Sequence, residues 1–162
     1  TYLRGKMDFH RQKSMIPLES ELELVMAYLE IEQMRYMDRL SVEWDVEEGV
    51  KAMVPPLALQ PLVENAVRHG LVSQNNICIE ISVKRVDDNF ISIGIMDNGA
   101  GMDPEKQQEL VDGCSERLGF TNVMKRINMM RGASIALYSK PDEGTRIVIT
   151  VPEARFDESD SG

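Results

Sequence analysis

Hydrophobic positions recur at two periods along this chain, and the changes of period mark its elements. Over residues 18–40, Leu18, Leu22, Val25, Leu29, Tyr36 and Leu40 keep to one stripe at helical spacing, interrupted by Gln33, which predicts an amphipathic helix. Pro17 stands where a first-turn proline is tolerated. Glutamates at 19, 21, 23, 30 and 32 precede Arg35 and Arg39, an order that suits the helix dipole. Val42, Trp44 and Val46 then alternate with Ser41, Glu43 and Asp45, as in a strand with one buried face. Pro55 and Pro56 introduce a second helix, predicted from about residue 56 to 70, with Leu59, Leu62, Val63, Ala66 and Val67 as its stripe.

Two more alternating runs follow: Ile77, Ile79, Ile81 and Val83 against polar neighbours, then Ile91, Ile93 and Ile95. Asp87-Asp88-Asn89 between them is short and turn-forming, which predicts an antiparallel hairpin. Asp103 is placed to cap a short helix that starts at Pro104 and ends at Gly113. Residues 119–130 predict another, with Phe120, Val123, Met124 and Ile127 facing inward. Residues 135–139 and 145–151 predict a second hairpin, and beyond Pro152 the chain is acidic, serine-rich and expected to fray. Two consecutive hairpins exclude a doubly wound parallel fold. The expected fold is α+β: a two-layer sandwich with a mixed, mostly antiparallel sheet, helices on one face, and a linker helix in front. The linker would take residues 1–40, the folded domain 41–152 and the acidic tail 153–162.

Composition narrows the class. The chain has 162 residues, 43% hydrophobic and 28% charged, which suits one globular domain with a sizeable core. Its 18 basic and 27 acidic residues leave a net charge of −9, which argues against a nucleic-acid partner. A phosphate-bearing ligand must then be held by local groups. Cys78 and Cys114 form neither a disulfide framework nor a metal-ligand spacing, and with no signal peptide they point to a reducing, cytoplasmic setting. No apolar run approaches the roughly 20 residues that cross a bilayer. Opening at Thr1 in a charged stretch, the sequence reads as part of a longer protein.

Four pieces can carry chemistry. Asn65, Arg68 and His69 fall at i, i+3 and i+4 on the polar side of the second helix. An amide oxygen, a guanidinium and an imidazole suit a metal-bound polyphosphate, with a solvated helix face as the simpler alternative. Asp97 ends an apolar strand and is followed by Gly99 and Gly101. That pattern holds a carboxylate towards an amine donor while the backbone passes close to a flat ligand; an ordinary Asn-Gly turn is the alternative. Gly119 opens a helix whose free N–H groups suit an anion, with Lys125 and Arg126 a turn or two on. Gly144-Thr145 starts a buried strand, where the Thr145 hydroxyl could join Asp97 against a base. His10 and His69 are far apart, and neither a nucleophile constellation nor a zinc spacing is present.

In this order the four pieces resemble the ATP-binding catalytic domain of sensor histidine kinases, in the GHKL superfamily shared with gyrase-type ATPases. The nearest likeness is the LytS/YehU-like branch. Leu18-Glu-Ser-Glu-Leu22, Tyr28-Leu-Glu-Ile-Glu32, Arg35, Asp38-Arg-Leu40 and Pro55-Pro56 look like its linker helix, and Leu59-Gln-Pro-Leu-Val-Glu-Asn-Ala66 with His69-Gly70 looks like its N box. The resemblance implies that Asn65 binds Mg²⁺ and that Arg68 and His69 approach the nucleotide. It implies that Asp97, beside Gly99 and Gly101, recognises the adenine amino group, that Gly119 belongs to the G2 box with Lys125 near the phosphates, and that Gly144-Thr145 closes on adenine. Residues 102–118 would form a mobile lid.

Three departures stand out. Pro61 lies four before Asn65, where gyrase-type ATPases carry the glutamate that activates water; this favours phosphotransfer over hydrolysis, with Asn65 and the nearby carboxylate Glu64 as the catalytic candidates. Arg117-Leu-Gly-Phe120 replaces the usual Gly-x-Gly-Leu, and Phe9-His-Arg-Gln does not match the branch's His-Phe phosphoacceptor. The resemblance therefore implies an ATP- and Mg²⁺-dependent protein-histidine kinase of a two-component system, whose acceptor histidine lies upstream of Thr1 and relays to a response regulator. It further implies a cytoplasmic domain of a bacterial membrane protein, homodimeric at full length, touching the membrane only through upstream segments. A GHKL-type ATP hydrolase and a non-catalytic interaction module without nucleotide are the alternatives.

Overall fold

A strict alternation of isoleucine and valine needs a surface on which to bury one side, and here five strands share it. The structure, a computed structural model, describes residues 15–111 and 118–154. A two-residue strand β1 (Ile16–Pro17) leads into helix α1 (Leu18–Tyr36) and a 3-10 turn (Met37–Arg39). Then come β2 (Leu40–Val46), β3 (Met53–Val54), α2 (Gln60–Ser73), β4 (Ile77–Arg85) and β5 (Phe90–Asp97). Helices α3 (Pro104–Val111) and α4 (Leu118–Asn128) and the hairpin β6 (Ser134–Lys140) and β7 (Gly144–Pro152) follow.

The main sheet has the order β2-β4-β5-β7-β6, with β2 parallel to β4 and every other neighbour antiparallel. The two hairpins expected from the sequence join along β5 and β7, while β2 enters parallel because α2 intervenes before β4. Ile81, Ile95 and Ile147 form one cross-strand row and Val83, Ile93 and Ile149 the next. These rows are buried against Leu62, Val63 and Val67 of α2, Val123 and Ile127 of α4, and Val25 and Leu29 of α1. Each such side chain contributes about 1.5–3 kcal/mol by leaving water. On the opposite face stand Ser82, Lys84, Ser92 and Thr150, none of them buried. The fold is thus the mixed α/β sandwich expected, with α1 packed on the same core.

Boundaries differ from the sequence pattern where backbone conformation overrides periodicity. α1 ends at Tyr36, because Met37 adopts a φ of 51°, and Leu40 is buried as the first residue of β2, opposite Ile77. α2 starts at Gln60 rather than at the prolines, since Leu57 has a φ of 58° that no right-handed helix accommodates. It continues through Gly70 to Ser73. A small antiparallel ribbon of β1 and β3 is too short to leave any alternation in the sequence.

Helix α2, which carries the candidate site residues, is completed from outside itself. Its N-cap is Leu59, which has no side-chain oxygen to offer. The cap comes instead from Glu21 of α1, fully buried, whose carboxylate accepts from the N–H groups of Leu57 and Leu59 at 3.1 Å and Gln60 at 3.3 Å. At the other end the Arg39 guanidinium donates to the carbonyls of Leu71 at 3.0 Å and Asn75 at 2.8 Å. Its position along the chain assigns Glu21 to the dipole of its own helix; the structure gives it the start of the next one.

Candidate functional site

Register explains why Asp97 faces the helices. Positions 91, 93, 95 and 97 of β5 share one face, and after three buried isoleucines the fourth is the carboxylate. Asp97 lies opposite Ile79 on one side and Thr145 on the other, and Thr145 lies opposite Ser139. A carboxylate and two hydroxyls therefore occupy one row at the end of the covered face. Ser139 Oγ lies 2.9 Å from Thr145 Oγ1, donates to the Gly144 carbonyl at 2.9 Å and accepts from the Met102 N–H at 2.8 Å. The Gln107 side chain donates to the carbonyls of Met102 and Ser139 at 2.9 and 2.7 Å, tying α3 to the same corner. One Asp97 carboxylate oxygen accepts from the Gly99 N–H at 2.9 Å.

Two glycines allow these backbones to meet. Gly101 has a φ of 70°, and a Cβ there would lie 1.9 Å from the Lys140 carbonyl oxygen. Gly144 has a φ of 83°, and its Cβ would lie 2.1 Å from the Asp97 carbonyl oxygen. Both positions are left-handed and both press on main chain, so any side chain would push the strand ends apart.

Between α2 and this end of the sheet opens a cavity of about 250 Å³. Asn65 and His69 line it from α2, Asp97, Gly99 and Gly101 from β5 and the loop beyond, and Thr145 from β7. Arg68 and Glu64 are not on its wall. Both lie close enough to Tyr28 of α1 to act on it electrostatically, and Glu64 accepts from the Gln60 side-chain amide at 3.1 Å. Lys125 is exposed on α4 and Arg126 turns to the Leu57 carbonyl at 3.4 Å, so neither lines the cavity. Gly119 lies in the first turn of α4. His10, Gly113, Arg117 and the rest of residues 112–117 of the expected lid lie outside the described residues.

Three contributors leave little or no mark in the sequence. Lys106 brings a basic side chain to the cavity wall from α3, whose first turn Asp103 caps by accepting from the Lys106 N–H at 2.9 Å. Ser139 and Gln107 hold the corner together. The only sequence signal for Lys106 is the Asp103-Pro104 helix start, and nothing local marks the other two. Among the described residues no group of three or more His, Cys, Asp or Glu could hold a metal. A cation in this cavity would be met by the neutral Asn65 oxygen and by oxygens of its own ligand, the mode Mg²⁺ favours with phosphates. The donor set fits that ion and does not fit zinc.

Tyr28, half-buried between α1 and α2, reports on this neighbourhood. Burial first, then the negative charges of Glu32 and Glu64, pushes its phenol from 10.0 up to about 12, with Arg68 pulling the other way. The folded protein keeps this proton where the unfolded chain has released it. Its contribution to stability is therefore present below pH 10 and lost as pH rises towards 12. Thermal melts across that range should fall less steeply in Tyr28→Phe than in the parent, and equal slopes would refute the assignment.

The model of the family described as histidine kinase-, DNA gyrase B-, and HSP90-like ATPase matches residues 56–155. The chain belongs to this family. A second model, described as histidine kinase, matches residues 1–40. Among proteins similar to this ATPase-family chain is YwpD of Bacillus subtilis, 35% identical over 152 residues, covering 93% of this chain and 55% of YwpD. Another is the sensor protein LytS of Bacillus anthracis, 33% identical over 161 residues, covering 94% of this chain and 27% of LytS. The chain thus spans about half the length of the first relative and about a quarter of the second. The solved mycobacterial sensor histidine kinase MprB shares the fold, with a TM-score of 0.66 at 17% identity over 88% of this chain and 98% of that one. Among the described residues, no helix is long and apolar enough to cross a membrane.

Proposed function

We propose that this domain binds Mg-ATP and presents its γ-phosphoryl group to a histidine upstream of Thr1, in a two-component sensor histidine kinase. One observation carries the reading: a single cavity collects Asn65 and His69 from α2 with Asp97, Gly99, Gly101 and Thr145 from the end of the sheet. Asp97 accepts from the adenine amino group, with the Thr145 hydroxyl beside it, and the glycines admit the flat base without a Cβ in the way. The Asn65 oxygen ligates Mg²⁺, while His69, Lys106 and the N–H groups at the start of α4 near Gly119 meet the phosphates. Arg68 and Lys125, off the cavity wall, act at most through the local field. Bound Mg-ATP supplies the transferable phosphoryl group and neutralises its charge, and the protein's part is positioning.

Transfer is favoured over hydrolysis by Pro61 in the place of a water-activating glutamate and by Glu64, whose carboxylate is engaged with Gln60 away from the cavity. The family match and the sensor-kinase names of relatives support the same reading. In the longer protein, upstream segments would supply the acceptor histidine, dimerisation and membrane attachment, with the present domain in the cytoplasm and a response regulator receiving the phosphoryl group.

Calorimetry with and without Mg²⁺ tests the assignment. The parent chain should bind ATP more tightly with the metal, and Asn65→Ala should lose that gain, about ten-fold, equivalent to about 1.4 kcal/mol. Absence of binding at millimolar nucleotide would remove the reading. Rapid phosphate release abolished by Glu64→Ala would replace it with the hydrolase.

A further inference from the structure

We propose that α1, together with the 3-10 turn that follows it, is the positioning element of α2: Glu21 of α1 and Arg39 of the turn grip α2 at its two ends, so that a displacement of this stretch is transmitted to the face carrying Asn65 and His69. For its effect at the cavity this rests on the nucleotide reading above; the grip itself stands on geometry alone.

Helix α2 caps its C-terminal carbonyls but not its N-terminus. It has no side-chain N-cap, no acidic residue in its first turn and no basic residue in its last. The Ser73 hydroxyl donates to the carbonyls of His69 and Gly70, and the Gln74 N–H to that of Gly70, but the leading N–H groups and the charges at both ends have no partner within the helix. Both deficits are met from a single stretch earlier in the chain. A carboxylate, Glu21, sits at the positive end, and a guanidinium, Arg39, sits at the negative end. The signs are those the helix dipole demands.

The order of contacts shows how the two helices lie. Glu21 meets residues 57–60, Tyr28 lies near Glu64 and Arg68, and Arg39 meets Leu71 and Asn75. α1 and α2 therefore run side by side in the same direction. Glu64 and Arg68 are off the cavity wall and within electrostatic reach of Tyr28 on α1, whereas the next residue in each case, Asn65 and His69, lines the cavity. Successive residues are about 100° apart around a helix, so one helix presents one face to α1 and another to the ligand space.

Glu21 makes the coupling stiff. It is fully buried, and its two oxygens take three backbone donors. An unpaired buried carboxylate is too unfavourable to populate. A slide of α1 by one turn, about 5.4 Å, must then either bring Glu21 to water or pull the start of α2 with it. The grip also crosses the boundary between the two family matches, since Glu21 and Arg39 fall within residues 1–40 and α2 within residues 56–155.

The test uses the full 162-residue chain, with amide hydrogen exchange, Mg-ADP affinity and thermal midpoint measured together on Glu21→Ala, Glu21→Gln, Arg39→Ala and a control. The control is Val151→Ala, a buried position in β7 outside both α1 and α2. In Glu21→Ala, exchange at Leu57, Leu59 and Gln60 should rise by about ten-fold or more, and Mg-ADP affinity should fall by about ten-fold, the scale of one charge-assisted hydrogen bond. Glu21→Gln, which keeps an acceptor oxygen, should recover part of both effects. Arg39→Ala should weaken affinity less, because its side chain is exposed. Val151→Ala should lower the thermal midpoint and leave affinity within about two-fold.

Unchanged exchange at Leu59 and Gln60 in Glu21→Ala would overturn the grip. So would an equal loss of affinity in Val151→Ala, which would reduce the effect to general stability. If the parent chain itself binds no Mg-ADP, the nucleotide reading fails, and exchange at Asn65 and His69 still decides whether the grip reaches that face. If Glu21→Ala does not fold, exchange and affinity in Glu21→Gln and Arg39→Ala decide the same two points.

Discussion

Mg-ATP affinity is expected to fall by at least about 100-fold, or about 2.7 kcal/mol, when Asp97 is replaced by Asn. The side chain keeps its shape, and its remaining oxygen still serves the Gly99 N–H, which is 2.9 Å away in the parent. The fold should therefore survive, with a thermal midpoint within a few degrees of the parent. What changes is the group offered to the base. A charged acceptor, worth about 1.5–3 kcal/mol in a hydrogen bond, becomes an amide that can place a donor against the donor of adenine. The same substitution should narrow the preference for adenine over guanine nucleotides, since Asp97 is the carboxylate on the cavity wall. Calorimetry with both nucleotides checks this, and an affinity within three-fold of the parent would take Asp97 out of the site.

Gly144→Ala is the second large effect, and it links stability to the site. Ala at a φ of 83° is strained by about 1–2 kcal/mol. Here its Cβ would also lie 2.1 Å from the Asp97 carbonyl oxygen, where the obstacle is backbone that cannot swing away. With overpacking of about 1–3 kcal/mol, the total should approach roughly 3 kcal/mol, or a thermal midpoint lower by about 10 °C. Gly49→Ala isolates the strain: its φ is 78°, yet nothing lies within 4 Å of the added Cβ. That variant should lose only about 1–2 kcal/mol and bind nucleotide as the parent does. Gly144→Ala should also weaken binding, because relieving the clash moves Asp97. Equal losses of stability in the two variants would mean that close approach contributes nothing.

Much of the sheet was legible because its signal is local. The Ile and Val alternation of β4, β5 and β7 reports a buried face residue by residue, and hairpin turns join strands that are neighbours in sequence. The paired positions Asp97 and Thr145 could be singled out because a carboxylate or a hydroxyl at the end of an apolar run breaks its own pattern. Lys125 and Arg126 illustrate the opposite case. Their distance from Gly119 along the chain suggested phosphate contacts, but helix rotation leaves Lys125 exposed and turns Arg126 to the Leu57 carbonyl. The cation on the cavity wall is Lys106, from a helix whose spacing pointed nowhere in particular.

By itself, then, the sequence determined the α+β class, the two hairpins, the inward stripes and part of the polar set that lines the cavity, Asn65, His69, Asp97 and Thr145. Those are properties of period, turn chemistry and residue type, and each is written locally along the chain. Tertiary structure alone decided that β2 pairs parallel with β4, that α2 begins beyond Leu57, and that Asp97 closes on the Gly144 backbone. It alone took Glu21 from among the acidic residues and set it on Leu57, Leu59 and Gln60, more than thirty residues away. The physical reason is the same in each case. A backbone N–H needs an acceptor and not a particular neighbour, so the identity of its partner is fixed by which elements pack together.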